Sequence, residues 1–269
     1  MPKSFSLVTW NINSVRLRMP IVTDFLEKYA PDVLCLQETK CPDANFPSGA
    51  LAKLGYEHIA IKGQKSYHGV AIISRLPLEQ IETRQFCGKE DARHVEARIA
   101  LGGKTVRIHN FYVPAGGDEP NREINEKFGH KLDFLSEMEG WLTGSEVDHP
   151  SILVGDLNIA PFEHDVWSHK QLLKVVSHTP IEVEKLEAVR NAGDWIDTMR
   201  EFVPHDEKLY TWWSYRAKDW SKADKGRRLD HIWVTPHLKD SIQDVTALRD
   251  VRGWVKPSDH APVLAKIQL

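Results

Sequence analysis

The sequence is poor in cysteine and contains no long apolar run. Its three cysteines, Cys35, Cys41 and Cys87, are an odd number and show no CxxC spacing. This argues against a disulfide framework and against a thiolate zinc site, so we expect a reducing, cytoplasmic location. The N-terminus lacks the apolar core of a signal peptide. No stretch of about 18 apolar residues is present that could span a membrane, so we expect no membrane association.

Strong net charge is also missing. The formal charge is −3 over 269 residues, so a nucleic-acid-binding role would have to rest on a local basic patch. The chain has no evident linker, low-complexity tract or strong repeat. Its length suits one large domain. We therefore expect a single domain over residues 1–269, and a monomer.

What the chain does have is a series of short apolar runs that read as β-strands. Val, Ile and aromatic residues are frequent in them, and Gly, Pro, Asp or Asn bound them. The runs are FSLVTW, DVLCLQ, HGVAIISR, VEARIAL, TVRIHNFYV, SILVGDL, LDHIWV and APVLAKI. Gly102 and Gly103 predict a hairpin turn, and helical periodicity appears over 20–30 and 121–143. Many strands and few helices predict packed β-sheets with helices outside.

Polar side chains recur where these apolar runs begin or end. They are Asn11, Glu38, Tyr112, Asp156, Asn158, Asp230, Asp259 and His260. Strand ends meet at one edge of a sheet, so we expect these side chains to share a cleft. Asp156 and Asn158 are two residues apart and would point to the same side of an extended chain. Each residue alone also fits a solvated strand end or a turn, and only their joint occurrence favours a site.

The acidic members of this set indicate a metal site. Glu38, Asp156 and Asp259, with the amides of Asn11 and Asn158, form an all-oxygen set. Such hard ligands suit Mg²⁺ or Mn²⁺ and not Zn²⁺. Carboxylates crowded without a cation would raise one another's pKa values. A divalent cation removes that cost and also neutralises charge during phosphodiester hydrolysis.

A basic, aromatic segment lies at residues 212–228, WWSYRAKDWSKADKGRR. Such a loop can hold phosphates while its rings stack on bases. A solvated surface loop is the alternative, although exposing so many tryptophans without a partner is unusual. The predicted DNA-binding residues are Arg16, Trp212, Trp213, Arg216, Lys218 and Arg227.

At these residues the chain resembles the exonuclease III-type apurinic/apyrimidinic endonucleases of the endonuclease/exonuclease/phosphatase superfamily. The segments that carry the resemblance are TWNINSVRLR, PDVLCLQETK, GVAIISR, NFYVPAGG, ILVGDLNIAP, YTWWSYRAKDW, GRRLDHIWV and PSDHAP. The resemblance implies a DNase I-like, four-layered α/β sandwich of two face-to-face sheets with helices outside. It also implies a metal-dependent DNA repair nuclease that acts on double-stranded DNA at abasic sites or 3′ ends and leaves 3′-hydroxyls.

The resemblance further implies how the metal side of the site is divided. By motif position, Glu38 looks like the principal metal ligand, with Asn11 and Asp259 nearby. Asn158 would orient the attacking water or hold the phosphate, and Tyr112 would donate to the phosphate or organise it.

The resemblance also implies a proton-transfer side. Asp156 looks like the residue that deprotonates the attacking water and helps to protonate the leaving group. His260 would contact a non-bridging phosphate oxygen while Asp230 fixes its tautomer and favours its cationic form. The alternative assignment makes His260 the general base, and the sequence leaves both open.

Two positions depart from the pattern of the resembling sequences. Arg227 stands where an apolar residue usually helps to wall the pocket for an abasic sugar, Trp212 matches another wall, and Ser14 stands where glycine is usual. The charged Arg227 leaves 3′-end trimming as an alternative to abasic-site cleavage. Two rival functions also stay open. One is a same-fold phosphatase acting on a non-DNA substrate, and the other is a non-catalytic nucleic-acid-binding module.

Overall fold

The computed structural model describes residues 4–143 and 149–269. The β-strands are β1 Ser4–Asn11, β2 Val33–Gln37, β3 His58–Lys62, β4 Val70–Ser74, β5 Glu79–Glu82, β6 His94–Leu101, β7 Lys104–Tyr112, β8 Ser151–Asp156, β9 Ile196–Asp197, β10 Trp212–Trp213, β11 Gly226–Arg227, β12 Asp230–Val234, β13 Ile242–Ala247 and β14 Val263–Gln268. The α-helices are α1 Met19–Tyr29, α2 Ser48–Ala52, α3 Glu126–Leu142, α4 His169–Leu172, α5 Pro180–Ala192, α6 Thr198–Phe202 and α7 Trp220–Ala223.

The described strands form two mixed six-stranded sheets and one short ribbon. The first sheet has the order β13-β14-β1-β2-β4-β3 and the second the order β5-β6-β7-β8-β12-β9, while β10 pairs with β11. Within the large sheets β1 runs parallel to β2 and β7 parallel to β8. Both parallel pairs are joined through a long helix, α1 in the first sheet and α3 in the second.

The two sheets pack face to face around one apolar core, to which Val33 and Ile72 of the first sheet and Ile108 and Ile152 of the second contribute. Helix α1 covers the outer face of the first sheet. Helices α3 and α5 cover the outer face of the second sheet. The predicted four-layered α/β sandwich is confirmed.

The helices agree with the sequence in part. Helix α1 matches the predicted range, with Pro20 in its first turn. Helix α3 begins at Glu126 instead of 121, because the side chain of Asn125 accepts a hydrogen bond from the Lys127 amide and caps the helix there. Helix α5 was not predicted, since its surface is mostly charged and only Glu182, Leu186 and Val189 are buried.

Gly155 makes the end of β8 possible. Its φ of +147° is rarely adopted by other residues, and a Cβ at this position would collide with the carbonyl oxygen of Phe111 on β7. The next residue is Asp156. The glycine therefore lets β8 run close to β7 at the point where Asp156, a candidate site residue, follows.

Among the described residues, no helix has the length and apolarity needed to cross a membrane.

A buried ionic network fixes the loop that precedes α4 to the start of β12. Asp165 accepts hydrogen bonds from Arg228, at 2.8 Å, and from Arg200. Arg228 also pairs with Asp197 at 2.8 Å. Since the side chains of Asp165 and Arg228 are fully buried, the charges depend on one another for compensation.

Replacing Asp165 with Asn should therefore destabilise the fold strongly. The change leaves two buried guanidinium groups short of a counter-charge, for which we expect a loss of about 3–5 kcal/mol in the free energy of unfolding. Urea denaturation measures the loss. Asp133→Asn is the matched control, because the exposed Arg122–Asp133 pair should contribute less than about 1 kcal/mol. Equal losses in the two variants would contradict a structural role for the network.

Candidate active site

The predicted polar residues meet at one rim where both sheets end. In the first sheet Asn11 ends β1 and Glu38 follows β2 directly. In the second sheet Tyr112, Asp156 and Asp230 lie abreast in register on β7, β8 and β12. Residues in register on neighbouring strands point to the same face, so these three side chains share the face that meets the first sheet.

The side-chain amide of Asn11 links the two sheets at this rim. Its Nδ2 donates to Glu38 Oε1 at 2.9 Å and to Asp156 Oδ2 at 2.8 Å. The Tyr112 hydroxyl donates to the same Glu38 oxygen at 2.8 Å. Burial, with the nearby carboxylates of Glu38 and Asp156, raises the pKa of Tyr112 well above its usual value. Tyr112 therefore stays a protonated hydrogen-bond donor.

His260 and Asp230 form a buried pair. The distance between His260 Nδ1 and Asp230 Oδ2 is 2.8 Å, and the Thr211 hydroxyl donates to the same carboxylate oxygen at 2.6 Å. Burial alone would lower the pKa of His260, but the carboxylates of Asp230 and Asp156 outweigh it and raise the pKa. The geometry therefore favours an imidazolium whose Nε2 lies 3.7 Å from Asp156 Oδ2.

Asp156 is a buried carboxylate whose pKa is raised, so it tends toward the protonated, neutral form. Burial raises its pKa, and Asp230 adds to the effect while His260 opposes it. The main-chain N–H of Asn158 donates to Asp156 Oδ1 at 3.0 Å, so the carboxylate is held in place. A buried carboxylate with a raised pKa is suited to proton transfer near neutral pH.

The acidic residues at the rim already attract a side-chain cation. Lys40 Nζ lies 2.7 Å from Glu38 Oε2 and donates to Asn13 Oδ1 at 2.8 Å. Burial raises the pKa of Glu38, but Lys40, Asn11 and His260 lower it by more, so the carboxylate is ionised. Asp259, whose pKa is also lowered, accepts from Asn13 Nδ2 at 3.1 Å. This oxygen-rich donor set fits a hard divalent cation.

Several residues of the rim have left-handed backbone geometry. Glu38, Asn158, Asn13 and Ser14 have φ values of 50°, 55°, 47° and 85°. Such conformations cost free energy and tend to cluster at functional sites. The φ of Ser14 is one that glycine adopts without the strain that a Cβ causes.

Lys131 supports Asn158 and was missed by the sequence analysis. Its fully buried ammonium donates to the Asn158 carbonyl at 2.8 Å and pairs with Glu182. The Asn158 side chain in turn donates to Val113 O at 2.9 Å. A signal was available in the sequence, because Lys131 lies on the apolar face of α3, three residues after Phe128.

The predicted DNA-binding residues divide into three groups. Arg16, Arg216 and Lys218 are exposed, whereas Trp212 is half-buried at the rim, where its Nε1 donates to Asp259 Oδ2 at 2.9 Å. Trp213 differs from the expectation.

Trp213 is only 2% exposed and packs against Tyr210 and Trp220. Its Nε1 donates to Asp224. The reason is strand alternation, which turns neighbouring residues of β10 to opposite faces. Trp213 thus contributes to the packing of the loop, whereas Trp212 is half-buried at the rim.

Arg227, also predicted to bind DNA, lies beside Trp212, with its guanidinium carbon 5.3 Å from the Trp212 ring centre.

Arg18, which was not predicted, connects the loop after β1 to the segment before His260. It donates to Pro257 O at 3.1 Å and to the Tyr215 hydroxyl at 2.8 Å.

A second titratable cluster lies away from this rim. His94, Glu96 and His109 on β6 and β7 are buried, with His94 Nε2 3.3 Å from His109 Nδ1 and Glu96 Oε2 3.5 Å from the same atom. Trp141 of α3 covers the two imidazoles. Nothing in the sequence pattern separated these residues from ordinary strand positions.

Comparison with known proteins identifies the family of this chain. The profile of the endonuclease/exonuclease/phosphatase family matches residues 8–260. An exodeoxyribonuclease III from Haemophilus influenzae is 31% identical over 270 positions, which cover 97% of this chain and 99% of that protein. The chain therefore belongs to the endonuclease/exonuclease/phosphatase family.

Two solved structures are similar over almost the full chain. A 3′ phosphatase from Neisseria, bound to a product DNA hairpin, has a TM-score of 0.89 at 29% identity. An AP endonuclease from Archaeoglobus fulgidus has a TM-score of 0.89 at 30% identity. Each comparison covers 98% of this chain and 100% of the other. Enzymes of the family use divalent metal ions, and the oxygen donors at the rim fit such an ion.

The raised pKa of His260 can be tested directly. In Asp230→Asn the carboxylate that stabilises the imidazolium is gone while the side-chain volume is kept, so the pKa of His260 should fall. An NMR titration of the imidazole nitrogens measures it. Asp197→Asn is the control, because that carboxylate pairs with Arg228 instead. An unchanged pKa of His260 in Asp230→Asn would show that Asp230 is not the cause.

Proposed function

We propose that this chain is a divalent-metal-dependent DNA repair nuclease that hydrolyses phosphodiesters at abasic sites or from 3′ ends and leaves 3′-hydroxyls. The observation that carries the proposal is the meeting of His260, Asp230 and Asp156 with Glu38 and Asn11 at one rim. The names of the similar proteins, an exodeoxyribonuclease III, an AP endonuclease and a 3′ phosphatase, support the same substrate class.

In the proposed mechanism, donors that are already in place hold the scissile phosphate. The His260 imidazolium donates from Nε2 to a non-bridging oxygen, because Nδ1 is engaged by Asp230. The Tyr112 hydroxyl donates its single O–H to Glu38 Oε1, so it would organise that carboxylate beside the phosphate. Donors fixed before the reaction stabilise the developing charge without reorganisation.

We propose Mg²⁺ or Mn²⁺ as the ion, held by Glu38 with Asn11 and Asp259, and with Asp156 and Asn158 on the side of the attacking water. When bound, the ion neutralises charge on the phosphate and on the leaving oxygen. Lys40 lies on Glu38 Oε2, whereas Asn11 and Tyr112 donate to Oε1, so the lysine ammonium would compete with an ion held by Glu38. We therefore expect the Lys40 ammonium to move when the ion binds.

Asp156 is the proposed general base. It would take a proton from the water that attacks phosphorus as the bond to the 3′-oxygen breaks, and it would then help to return a proton to that oxygen, which leaves as the 3′-hydroxyl. The Asn158 main chain would keep the carboxylate oriented. His260 is less suited to this step, because its raised pKa keeps it protonated at neutral pH and thus unable to accept a proton.

The proposed DNA surface combines exposed cations with one aromatic ring beside the rim. Arg16, Arg216 and Lys218 would contact phosphates, and Trp212 would contact a sugar or base next to the scissile phosphate. A monomer in the cytoplasm is the proposed state. The free cysteines, two of them buried, fit a reducing location.

The first experiment compares two end-labelled duplexes in Mg²⁺, each with an EDTA control. One carries a single internal abasic-site analogue, and the other is undamaged with a recessed 3′ end. We expect EDTA-sensitive cleavage of at least one duplex, and its pattern separates incision at the lesion from a 3′ ladder. If neither duplex is cut while a phosphoinositide is hydrolysed, the non-DNA phosphatase is the correct reading.

Asp156→Asn should retain DNA binding but lose turnover. Removing a general base typically lowers kcat by about 10²–10⁴-fold. Single-turnover cleavage of the better duplex gives the rate, and binding in EDTA gives the affinity. Substantial residual turnover with an unchanged pH profile would move the role of general base to His260.

Glu38→Gln should weaken binding of the divalent ion by at least about tenfold, since losses of 10–100-fold are typical even for residues that only support a ligand. Electron paramagnetic resonance of added Mn²⁺ measures the binding without turnover. Glu96→Gln is the control, because that buried carboxylate belongs to the histidine cluster away from the rim. A loss confined to Glu96→Gln would place the ion there instead.

A further inference from the structure

Arg227 is a cation at the rim, and it makes no ion pair with any residue in the ranges 4–143 and 149–269. Its Nη1 donates to the Val176 carbonyl at 2.9 Å and to the Ser177 hydroxyl at 2.6 Å. In the part of the chain that the structure describes, no carboxylate lies within ion-pair distance of the Arg227 guanidinium. Glu182, the carboxylate that influences Arg227 from a distance, is already paired with Lys131. A guanidinium that is largely withdrawn from water and lacks a carboxylate partner is costly.

The neighbouring Arg228, in the same segment, has its positive charge balanced by two carboxylates. Arg228 is completely buried and pairs with both Asp165 and Asp197. Because neighbouring residues of an extended chain point to opposite faces, Arg228 reaches the inner carboxylates while Arg227 points to the other side. The unpaired charge therefore belongs to Arg227 and is not a general property of this segment.

Strand register places Arg227 on the same face as the proposed phosphate-binding histidine. Arg227 is directly opposite Trp212 on β10, and Trp212 forms a bridge with His260 on its other side. Side chains opposite one another on paired strands lie on one face. Arg227 and His260 are thus two strands apart, roughly 10 Å between backbones, with the indole of Trp212 between them.

The held conformation of Arg227 suits the recognition of an anion. Its guanidinium leans over the Trp212 ring at 5.3 Å, and Nη1 carries both of its hydrogen bonds. Nη2 makes no hydrogen bond to any described residue and retains its two N–H donors. An arginine fixed on an aromatic face loses little side-chain entropy when it binds a phosphate.

We propose that Arg227 binds a phosphate next to the scissile phosphate on the cleaved strand. The inference rests on the proposed function, because it assumes that the scissile phosphate binds at His260. A substrate lying across Trp212 would then place one anionic group at His260 and a second at Arg227. If the second is the phosphate on the 3′ side, a 3′-terminal nucleotide lacks it, and Arg227 favours incision within a strand over removal of the last nucleotide.

The test replaces single phosphates by the neutral methylphosphonate, one at a time on each side of the scissile bond of the abasic duplex. With the wild-type protein, one of the two replacements should lower kcat/KM by about tenfold or more, as expected for a lost charge-assisted hydrogen bond. In Arg227→Gln, which keeps a hydrogen-bonding side chain but no charge, the same replacement should have little further effect. Arg227→Lys should show intermediate sensitivity.

Lys222→Gln is the matched control. It removes one exposed positive charge from the same segment at a residue outside the proposed DNA surface, and it should keep the wild-type sensitivity to the methylphosphonate. A loss that depends on Arg227 at either neighbouring position supports the proposal. The proposal is overturned if Arg227→Gln keeps the full sensitivity at both positions, or if the wild-type protein is sensitive at neither.

Binding of the same duplexes in EDTA separates this inference from the proposed function. If no duplex is cleaved, the nuclease assignment fails, but affinity can still be compared between the phosphodiester and each methylphosphonate. Tighter binding of the phosphodiester in the wild-type protein that disappears in Arg227→Gln supports the anion site. Equal affinities for all duplexes in both proteins would overturn it.

Discussion

The accumulation of negative charge at one rim is the constraint on which the rest of the site depends. Glu38, Asp156 and Asp230 are brought together by strands of two different sheets, and the amide of Asn11 joins the first two. Carboxylates at this separation cannot all stay ionised without compensation. A protonated His260, the nearby Lys40 and a divalent ion are the compensating charges that the geometry allows.

The buried basic residues Lys131 and Arg228 hold the backbone segments that carry the site. Lys131 holds the carbonyl of Asn158, and Arg228 ties the start of β12 to the loop at Asp165. Charges this deep in the interior do little for net stability, because desolvation offsets most of their attraction. They do determine where the backbone lies. The left-handed residues of the rim, Glu38 and Asn158, need such support, since their conformation is costly in isolation.

Much of the candidate site could be read from strand ends. Short apolar runs predicted the main strands, and the polar residues that close them do converge in the structure. The failures have local causes. Helix α3 is shorter than its periodicity because Asn125 caps it, and helix α5 buries too narrow a stripe to stand out. The burial of Trp213 was not foreseen, because a sequence does not show which face of a two-residue strand is buried.

The sequence by itself determined the chemistry: oxygen ligands for a hard cation, an acid–imidazole neighbourhood and a basic aromatic loop. These follow from residue types and from local periodicity, which act over a few positions. The reach of Asn11 across the two sheets and the unpaired charge of Arg227 were decided only by the tertiary structure. The structure also brings Asp230 and His260 to 2.8 Å, a pairing that only the resemblance had implied. They depend on register between strands that are distant in the chain, and register is set by the packing of the whole core.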